Sequence, residues 1–346
     1  MDKTSQAKVT IVITPRDRFG VALESFKSVI AYTGRPYELI YVDAGGPAAL
    51  ARELKKICSD NGFVYIGHPG ILNPNEARNL GIRAARTPYI AFLNNDVVVS
   101  PGWLSAMVTC AEETGAEVIA PLTCQKIPLH REIHQAGGLF TEDVKAFLAA
   151  RPEDRRLKEV ELLQGKKVHE VSLVRGETQC CEFHCALVRR DVFAKIGELD
   201  ELLATKEHLD FCLSVWQAGG RVMFEPTAIV TFLGHAGAIE PRDLKFFALR
   251  WSPAWQRSSL AHFQRKWELP NDPYFAKRTS MLRWRHYESI AEPLLRKVPL
   301  IGRRHKWLAA GSRVLLPALE WWSGRLASRH ARNSGRSKSP DLVTRS

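Results

Sequence analysis

Between residues 9 and 96 the chain repeatedly changes its hydrophobic period, and that alternation leaves few folds open. Val9-Thr-Ile-Val-Ile-Thr14 is a β-branched run that reads as a strand. After Pro15-Arg-Asp-Arg18 comes a helical pattern with Leu23, Phe26, Val29 and Ile30 apolar. Tyr37-Glu-Leu-Ile-Tyr-Val-Asp43 reads as a second strand, broken by Ala44-Gly-Gly-Pro47. A helix is predicted over 48–60, ending at Asn61-Gly62, and Phe63-Val-Tyr-Ile66 as a third strand. Asn75 to Ala85 again has helical spacing, and Thr87-Pro88 stops it. Strands alternating with helices imply βαβ units and a mostly parallel sheet. Right-handed crossovers line the strand ends along one edge, and ligands bind outside that edge.

The next strand makes that edge chemically interesting. Tyr89-Ile-Ala-Phe-Leu is apolar and runs into Asn94-Asn95-Asp96. One carboxylate and two amide carbonyls are hard oxygen ligands, suited to Mg²⁺ or Mn²⁺ bound together with substrate phosphates. The competing reading is a polar strand-to-turn cap, since Asn and Asp favour turns. Asp43, Arg78 and Asp96, far apart in sequence, can converge on one ligand at such an edge.

Composition narrows the class. A chain of 346 residues with 45% hydrophobic content can bury a large core. Neither a Gly-x-Gly-x-x-Gly turn after the first strand nor a Walker A loop occurs, which argues against the commonest α/β nucleotide enzymes. There is no internal repeat, the first residues are polar rather than secretory, and no apolar run has the ~20 residues a bilayer span needs. The seven cysteines are an odd, scattered set, expected as reduced thiols in a cytoplasm. Cys180, Cys181, His184 and Cys185 raise the question of zinc, but no second knuckle follows and a buried strand accounts for them better.

The series Val9–Arg18, Tyr41-Val-Asp43, Ala77-Arg-Asn-Leu-Gly81 and Asn94-Asn-Asp96 resembles the family 2 glycosyltransferases with the GT-A fold. The likeness extends through Gly197-Glu-Leu-Asp200, Glu207-His-Leu-Asp-Phe211 and Gly234-His-Ala-Gly237, and so covers about residues 8–240. No one motif is strong; their order and spacing are. The resemblance implies an inverting enzyme that uses a nucleotide-sugar donor. It puts Asp43 on the donor base, usually uracil, and Thr14, Pro15, Arg16 and Asp17 near the nucleoside. Arg78 and Asn79 would lie near the nucleotide and its phosphates, with Asn94 and Asn95 on the donor side. Asp96 stands for the last carboxylate of the family's Asp-x-Asp and is the metal ligand implied, for Mn²⁺ or Mg²⁺. His235 is implied as a further ligand of the metal or of the departing diphosphate.

The acceptor half departs from the family pattern. Where the family carries two acids, this chain has Glu207 and then His208. Either can serve as the base that deprotonates the acceptor hydroxyl, histidine because its ordinary pKa lies near neutrality. Asp210, one turn on, would orient Glu207 or cap the helix. The charged stretch 151–159 reads as an exposed loop of the kind that forms lids.

The last third is of another kind. Arg250-Trp-Ser-Pro-Ala-Trp255, Arg283-Trp-Arg-His286 and Arg303-Arg-His-Lys-Trp307 mix cations with tryptophan, and the formal net charge is +12. Such a mixture suits a peripheral helix on an anionic membrane. Nucleic acid and a helical extension packed on the catalytic domain are the competing readings; no nucleic-acid module is present. The domain plan is thus 1–240 catalytic, with about 8–125 binding the donor and 126–240 the acceptor. A helical Trp/Arg-rich extension follows over 241–325, then a disordered basic tail over 326–346.

The fold class expected is α/β, a GT-A type, Rossmann-like, mostly parallel sheet flanked by helices with a helical basic extension. The function expected is sugar transfer from a UDP-sugar or related donor to a saccharide or lipid-linked acceptor, in cell-surface polysaccharide or glycolipid synthesis. The expected location is cytoplasmic, peripheral on the inner face of the plasma membrane. A degenerate nucleotide-sugar-binding protein without turnover is the alternative, suggested by Asn94 and His208.

Overall fold

The computed structural model describes residues 6–234, 239–271, 275, 277, 281, 284–298 and 305–334. Its strands are β1 (Val9–Thr14), β2 (Glu38–Ala44), β3 (Val64–His68), β4 (Tyr89–Asn94), β5 (Val97–Val99), β6 (Val118–Gln125), β7 (Glu132–Gln135), β8 (Gly138–Phe140), β9 (Glu159–Glu161), β10 (Gly176–Thr178), β11 (Cys185–Arg189) and β12 (Val222–Phe232). The helices are α1 (Ala22–Tyr32), α2 (Ala48–Asn61), α3 (Pro74–Ala84), α4 (Trp103–Thr114), α5 (Val144–Ala149), α6 (Val192–Ile196), α7 (Glu207–Gln217), α8 (Leu244–Arg250), α9 (Pro253–Lys266), α10 (Glu292–Arg296) and α11 (His305–Ser334).

The main sheet runs β3-β2-β1-β4-β11-β6-β12-β10. β1, β2, β3 and β4 are mutually parallel, β11 runs against both β4 and β6, and β12 is parallel to β6. This is the mostly parallel sheet the alternating pattern predicts. β1 is buried on both faces, as parallel strands covered by helices must be. Ile11 and Ile13 pack into one apolar layer with α1, α2 and α4. Val12 points the other way, into the layer built on α3, α5 and α7.

Local chemistry sets the elements that frame the edge. Asn73 caps α3, accepting from the backbone N–H groups of Asn75 and Glu76, while Glu76 accepts from the Asn73 N–H. That reciprocal box, with Pro74 in the first turn, fixes where α3 begins. Gly81 lets α3 lie close on β1: a Cβ there would stand 2.2 Å from Val12 Cγ1. β5 was not anticipated; it follows the Asn94-Asn95-Asp96 turn directly and pairs with β12. β12 runs through Pro226 as one strand whose register against β6 shifts between Glu225 and Ile229, a bulge of the kind that admits proline.

The segment after residue 240 is packed rather than appended. Phe246 and Leu249 of α8 and Ala327 of α11 join one core layer, and Leu260 and Phe263 of α9 join the other. α11 continues to Ser334, into the segment expected as a disordered tail; residues 335–346 lie outside the described part. The stretch 151–159 is not a free loop either. Arg155 donates to the Trp267 carbonyl, and Glu159 lies in β9, paired with β8. Among the described residues no helix is long and apolar enough to cross a membrane. All seven cysteines are buried and unpaired.

Candidate active site

The C-terminal ends of β1, β2 and β4 meet where the sequence places its polar residues. Thr14 ends β1, buried, and its carbonyl accepts from the Asn95 N–H at 2.9 Å. Pro15 is buried beside it. The Arg16 N–H donates to Asn95 Oδ1 at 2.7 Å. Asn95 Oδ1 thus holds the chain after β1, while its buried Nδ2 has no hydrogen-bond partner. At the end of β2, Asp43 accepts from the Tyr65 hydroxyl at 2.7 Å, and burial raises its pKa. A side chain at Gly46 would sit 2.6 Å from Asp43 Oδ1, so only a glycine lets the backbone pass this close to the buried carboxylate.

Asp96 is fully buried, and neither of its carboxylate oxygens has a hydrogen-bond partner. Burial pushes its pKa up to about 7, against the pull of Arg16 and Arg250. An anion in that condition calls for a cation.

Around it stand arginines gathered on one carboxylate oxygen. Glu207 Oε1 lies 3.4 Å from Arg16 Nη1, 3.9 Å from Arg78 Nη1 and 3.6 Å from Arg250 Nη2. Burial alone would raise the Glu207 pKa, but Arg250, Arg16 and Arg78 together hold it at about 2. Arg78 is itself buried, donates to Asn75 Oδ1 at 3.1 Å and to Asn94 Oδ1 at 3.5 Å, and lies over the Phe183 ring. Burial lowers its pKa to about 9 even with Glu207 nearby. Asp17 pairs with Arg250 Nε at 3.2 Å and accepts from the Trp251 indole at 3.1 Å.

Two residues assigned to the site by resemblance turn elsewhere. Asn79 donates to the Leu199 carbonyl and to Glu201, and accepts from the Leu199 N–H. Its amide ties α3 to the 199–201 loop and has nothing left for a nucleotide. Asp210 accepts from the Trp267 indole and from Lys266, both at 2.8 Å. It therefore anchors the end of α9 and does not orient Glu207. His235 lies outside the described residues.

His208 is bound into a buried charge group. Its Nε2 lies 3.1 Å from Glu159 Oε1, and Lys206 Nζ lies 2.9 Å from Glu159 Oε2. Burial disfavours the imidazolium, yet Glu159 outweighs it and the His208 pKa rises. Lys206, which opens α7, has φ 60°, a left-handed conformation that costs a non-glycine residue energy.

The sequence reading missed Arg250, Trp251, Glu159 and Lys206. None carries a local signal, because Glu159 of β9, Lys206 at the start of α7, and Arg250 and Trp251 at the end of α8 come together only through tertiary packing.

Against known proteins, the description "Glycosyl transferase family 2" matches residues 10–197, more than half of the chain. The chain belongs to that family. An uncharacterized glycosyltransferase of Rickettsia conorii is 34% identical over 92 residues, 27% of this chain and 15% of the relative. The pre-mycofactocin glycosyltransferase of Mycobacterium tuberculosis strain H37Rv is 25% identical over 163 residues, 47% of this chain and 30% of the relative. The chain thus spans less than a third of the length of either. Among solved structures, GalNAc-T7 crystallised with UDP, GalNAc and Mn²⁺ superposes with a TM-score of 0.51 at 18% identity, over 86% of this chain and 59% of that one. That likeness carries the GT-A fold to this glycosyltransferase family member.

Proposed function

We propose that this chain moves a sugar from a nucleoside-diphosphate donor, UDP-linked before other nucleotides, to an acceptor hydroxyl with inversion at the anomeric carbon. The observation that carries this reading is Asp96, with two buried, unpartnered oxygens beside Arg16 and Arg250 at the ligand-binding edge of the sheet. One carboxylate together with donor phosphates is how Mg²⁺ and Mn²⁺ are commonly held. The residues therefore fit a divalent cation, with Asp96 as its protein ligand. Bound there, such an ion supplies Lewis-acid neutralisation of charge on the diphosphate.

The chain's own groups do the rest. Arg16, Arg78 and Arg250 now share one carboxylate oxygen, and a diphosphate offers them more negative charge and more acceptors. Asp43, buried with one oxygen on Tyr65, is suited to an N–H of the donor base. Proton removal from the acceptor falls to Glu207 or His208. The acceptor class we favour is a saccharide or lipid-linked saccharide at the inner face of a membrane, in cell-surface polysaccharide or glycolipid synthesis. Its support is α11, whose Trp307, Val314 and Trp321 face outward at 55%, 76% and 61% exposure near Arg313 and Arg325.

The deciding experiment is thermal unfolding with UDP-, GDP-, CMP- and dTDP-sugars, with and without Mn²⁺, followed by donor hydrolysis. A nucleotide sugar should raise the midpoint only with metal present, and Asp96→Ala should abolish that rise without changing the ligand-free midpoint much. Proton NMR of the product would then read the anomeric configuration. Stabilisation without turnover on any acceptor would favour the binding-only alternative; no shift with any nucleotide sugar would defeat the proposal.

A further inference from the structure

Beside the Asn94–Asp96 turn, two imidazoles point at one carboxylate oxygen. His134 Nε2 and His184 Nε2 each lie 2.9 Å from Glu182 Oε2. The three ligating atoms all fall within 4.8 Å of one another. His134 comes from β7, and Glu182 and His184 from the segment entering β11, so the fold and not local sequence assembles them. Both histidines are buried, and the Glu182 side chain is 18% exposed, giving the group one edge toward solvent.

The hydrogen bonds around the group explain what it is built for. His134 Nδ1 lies 3.3 Å from Gln125 Oε1, an acceptor, so that nitrogen carries a proton. Its Nε2 can then donate to Glu182 only if the ring is charged, whereas a metal ion takes the Nε2 lone pair of the neutral ring. An Nδ1–H held by an amide carbonyl is the usual outer partner of a metal-bound histidine. On the other side His184 Nδ1 faces the Asn94 side-chain amide at 3.4 Å. There Asn94 Nδ2 donates to His184 Nδ1 while Asn94 Oδ1 accepts from Arg78, so freeing the His184 Nε2 lone pair for a metal requires the amide to rotate and give up that 3.5 Å contact. The Phe232 ring, 3.9 Å from the His184 ring between centroids, holds the imidazole plane.

We propose that His134, Glu182 and His184 form a binding site for a zinc-type divalent cation, separate from the donor-side ion at Asp96. Two histidines and one carboxylate with a fourth position for water form a recurrent zinc set. Bonds of about 2.0–2.2 Å would require the 2.9 Å gaps to open by only a few tenths of an ångström. The adjoining trio of Glu159, Glu182 and His208 is the poorer host, because Lys206 already neutralises Glu159.

The test uses the full chain, stripped of metal with a chelator and without any donor, so it reads independently of sugar transfer. One equivalent of Co²⁺ should give the intense visible absorption of a tetrahedral site, and Zn²⁺ should abolish it. Asp96→Asn should keep the spectrum. Glu182→Gln and His184→Gln should lose it, and Gln125→Ala should weaken Zn²⁺ binding by about 10- to 100-fold, the usual effect of removing an outer partner. Zn²⁺ should raise the unfolding midpoint of the wild type and of Asp96→Asn, but not of the ligand variants. If the wild type shows no tetrahedral Co²⁺ band, the three residues are a hydrogen-bonded ion group and the proposal fails, whether or not the variants fold. It fails equally if the band survives Glu182→Gln and His184→Gln.

Discussion

At the scale of single residues, protonation separates Glu207 from His208 as candidates for the proposed base. Glu207, held at about 2 by three guanidinium groups, has little tendency to take a proton. His208 is raised by Glu159, which accepts from Nε2 and leaves Nδ1 for the acceptor's proton. His208→Ala should therefore cut turnover by about 10² to 10⁴, while Glu207→Gln keeps most of it. The reverse result would make Glu207 the base. The histidine must be unprotonated to act, so the acid limb of kcat/KM should lie above the ordinary histidine value of 6.5. Glu159→Gln should move that limb to lower pH. Glu207 also makes a stability prediction. Its pKa is depressed from 4.5 to about 2, so it stabilises the fold above about pH 4.5, and that contribution disappears as pH falls toward 2. The urea midpoints of wild type and Glu207→Gln should differ at pH 7 and converge near pH 2; a gap independent of pH would show that the arginines do not act through this carboxylate.

At the scale of elements, α3 and α11 illustrate two kinds of packing. α3 brings Arg78 to the edge only because Gly81 lets it lie against Val12. Gly81→Ala should cost about 1–3 kcal/mol from overpacking and weaken donor binding by displacing Arg78. Unfolding and donor titration of the same variant would measure both, and an unchanged midpoint would mean the helix has room to shift. α11 buries Leu308, Leu316 and Ala327 and turns Trp307, Val314 and Trp321 outward. Replacing those three outward residues with serine should leave the unfolding midpoint nearly unchanged and reduce co-sedimentation with anionic vesicles at low salt. Equal sedimentation of both forms would remove the membrane reading of this face. How far the elements were legible follows the same division. β1 spans Val9–Thr14 as its β-branched run implies, because a strand buried on both faces declares itself in sequence. The outward face of α11 was visible only as a mixture of Trp and Arg, since packing alone decides which side of a helix is covered. The buried partners of Glu159 were hidden because a charged stretch looks solvated until Lys206 and His208 are placed on it.

At the scale of the whole molecule, the proposed donor edge is closed by residues far apart in the chain, Asp17 near its start and Arg250 after the matched family region. Asp43, Arg78, Asn94 and Asp96 were readable because they lie at or just after strand ends, or in the first half of α3, in a regular alternation. Arg250 was not, since it follows the matched family region and its guanidinium is buried only by the complete fold. Trp251 and Asp243 join it: the indole donates to Asp17, and Asp243 accepts from the Phe19 N–H at 2.8 Å. This arrangement has a consequence for synthesis on the ribosome, where N-terminal portions fold first. A nascent chain halted before residue 250 can pair β1, β2, β3 and β4 and yet lacks the guanidinium that pairs with both Asp17 and Glu207. On the proposed reading, the donor pocket is therefore completed only once α8 has left the exit tunnel, after β1, β2, β3 and β4 have emerged.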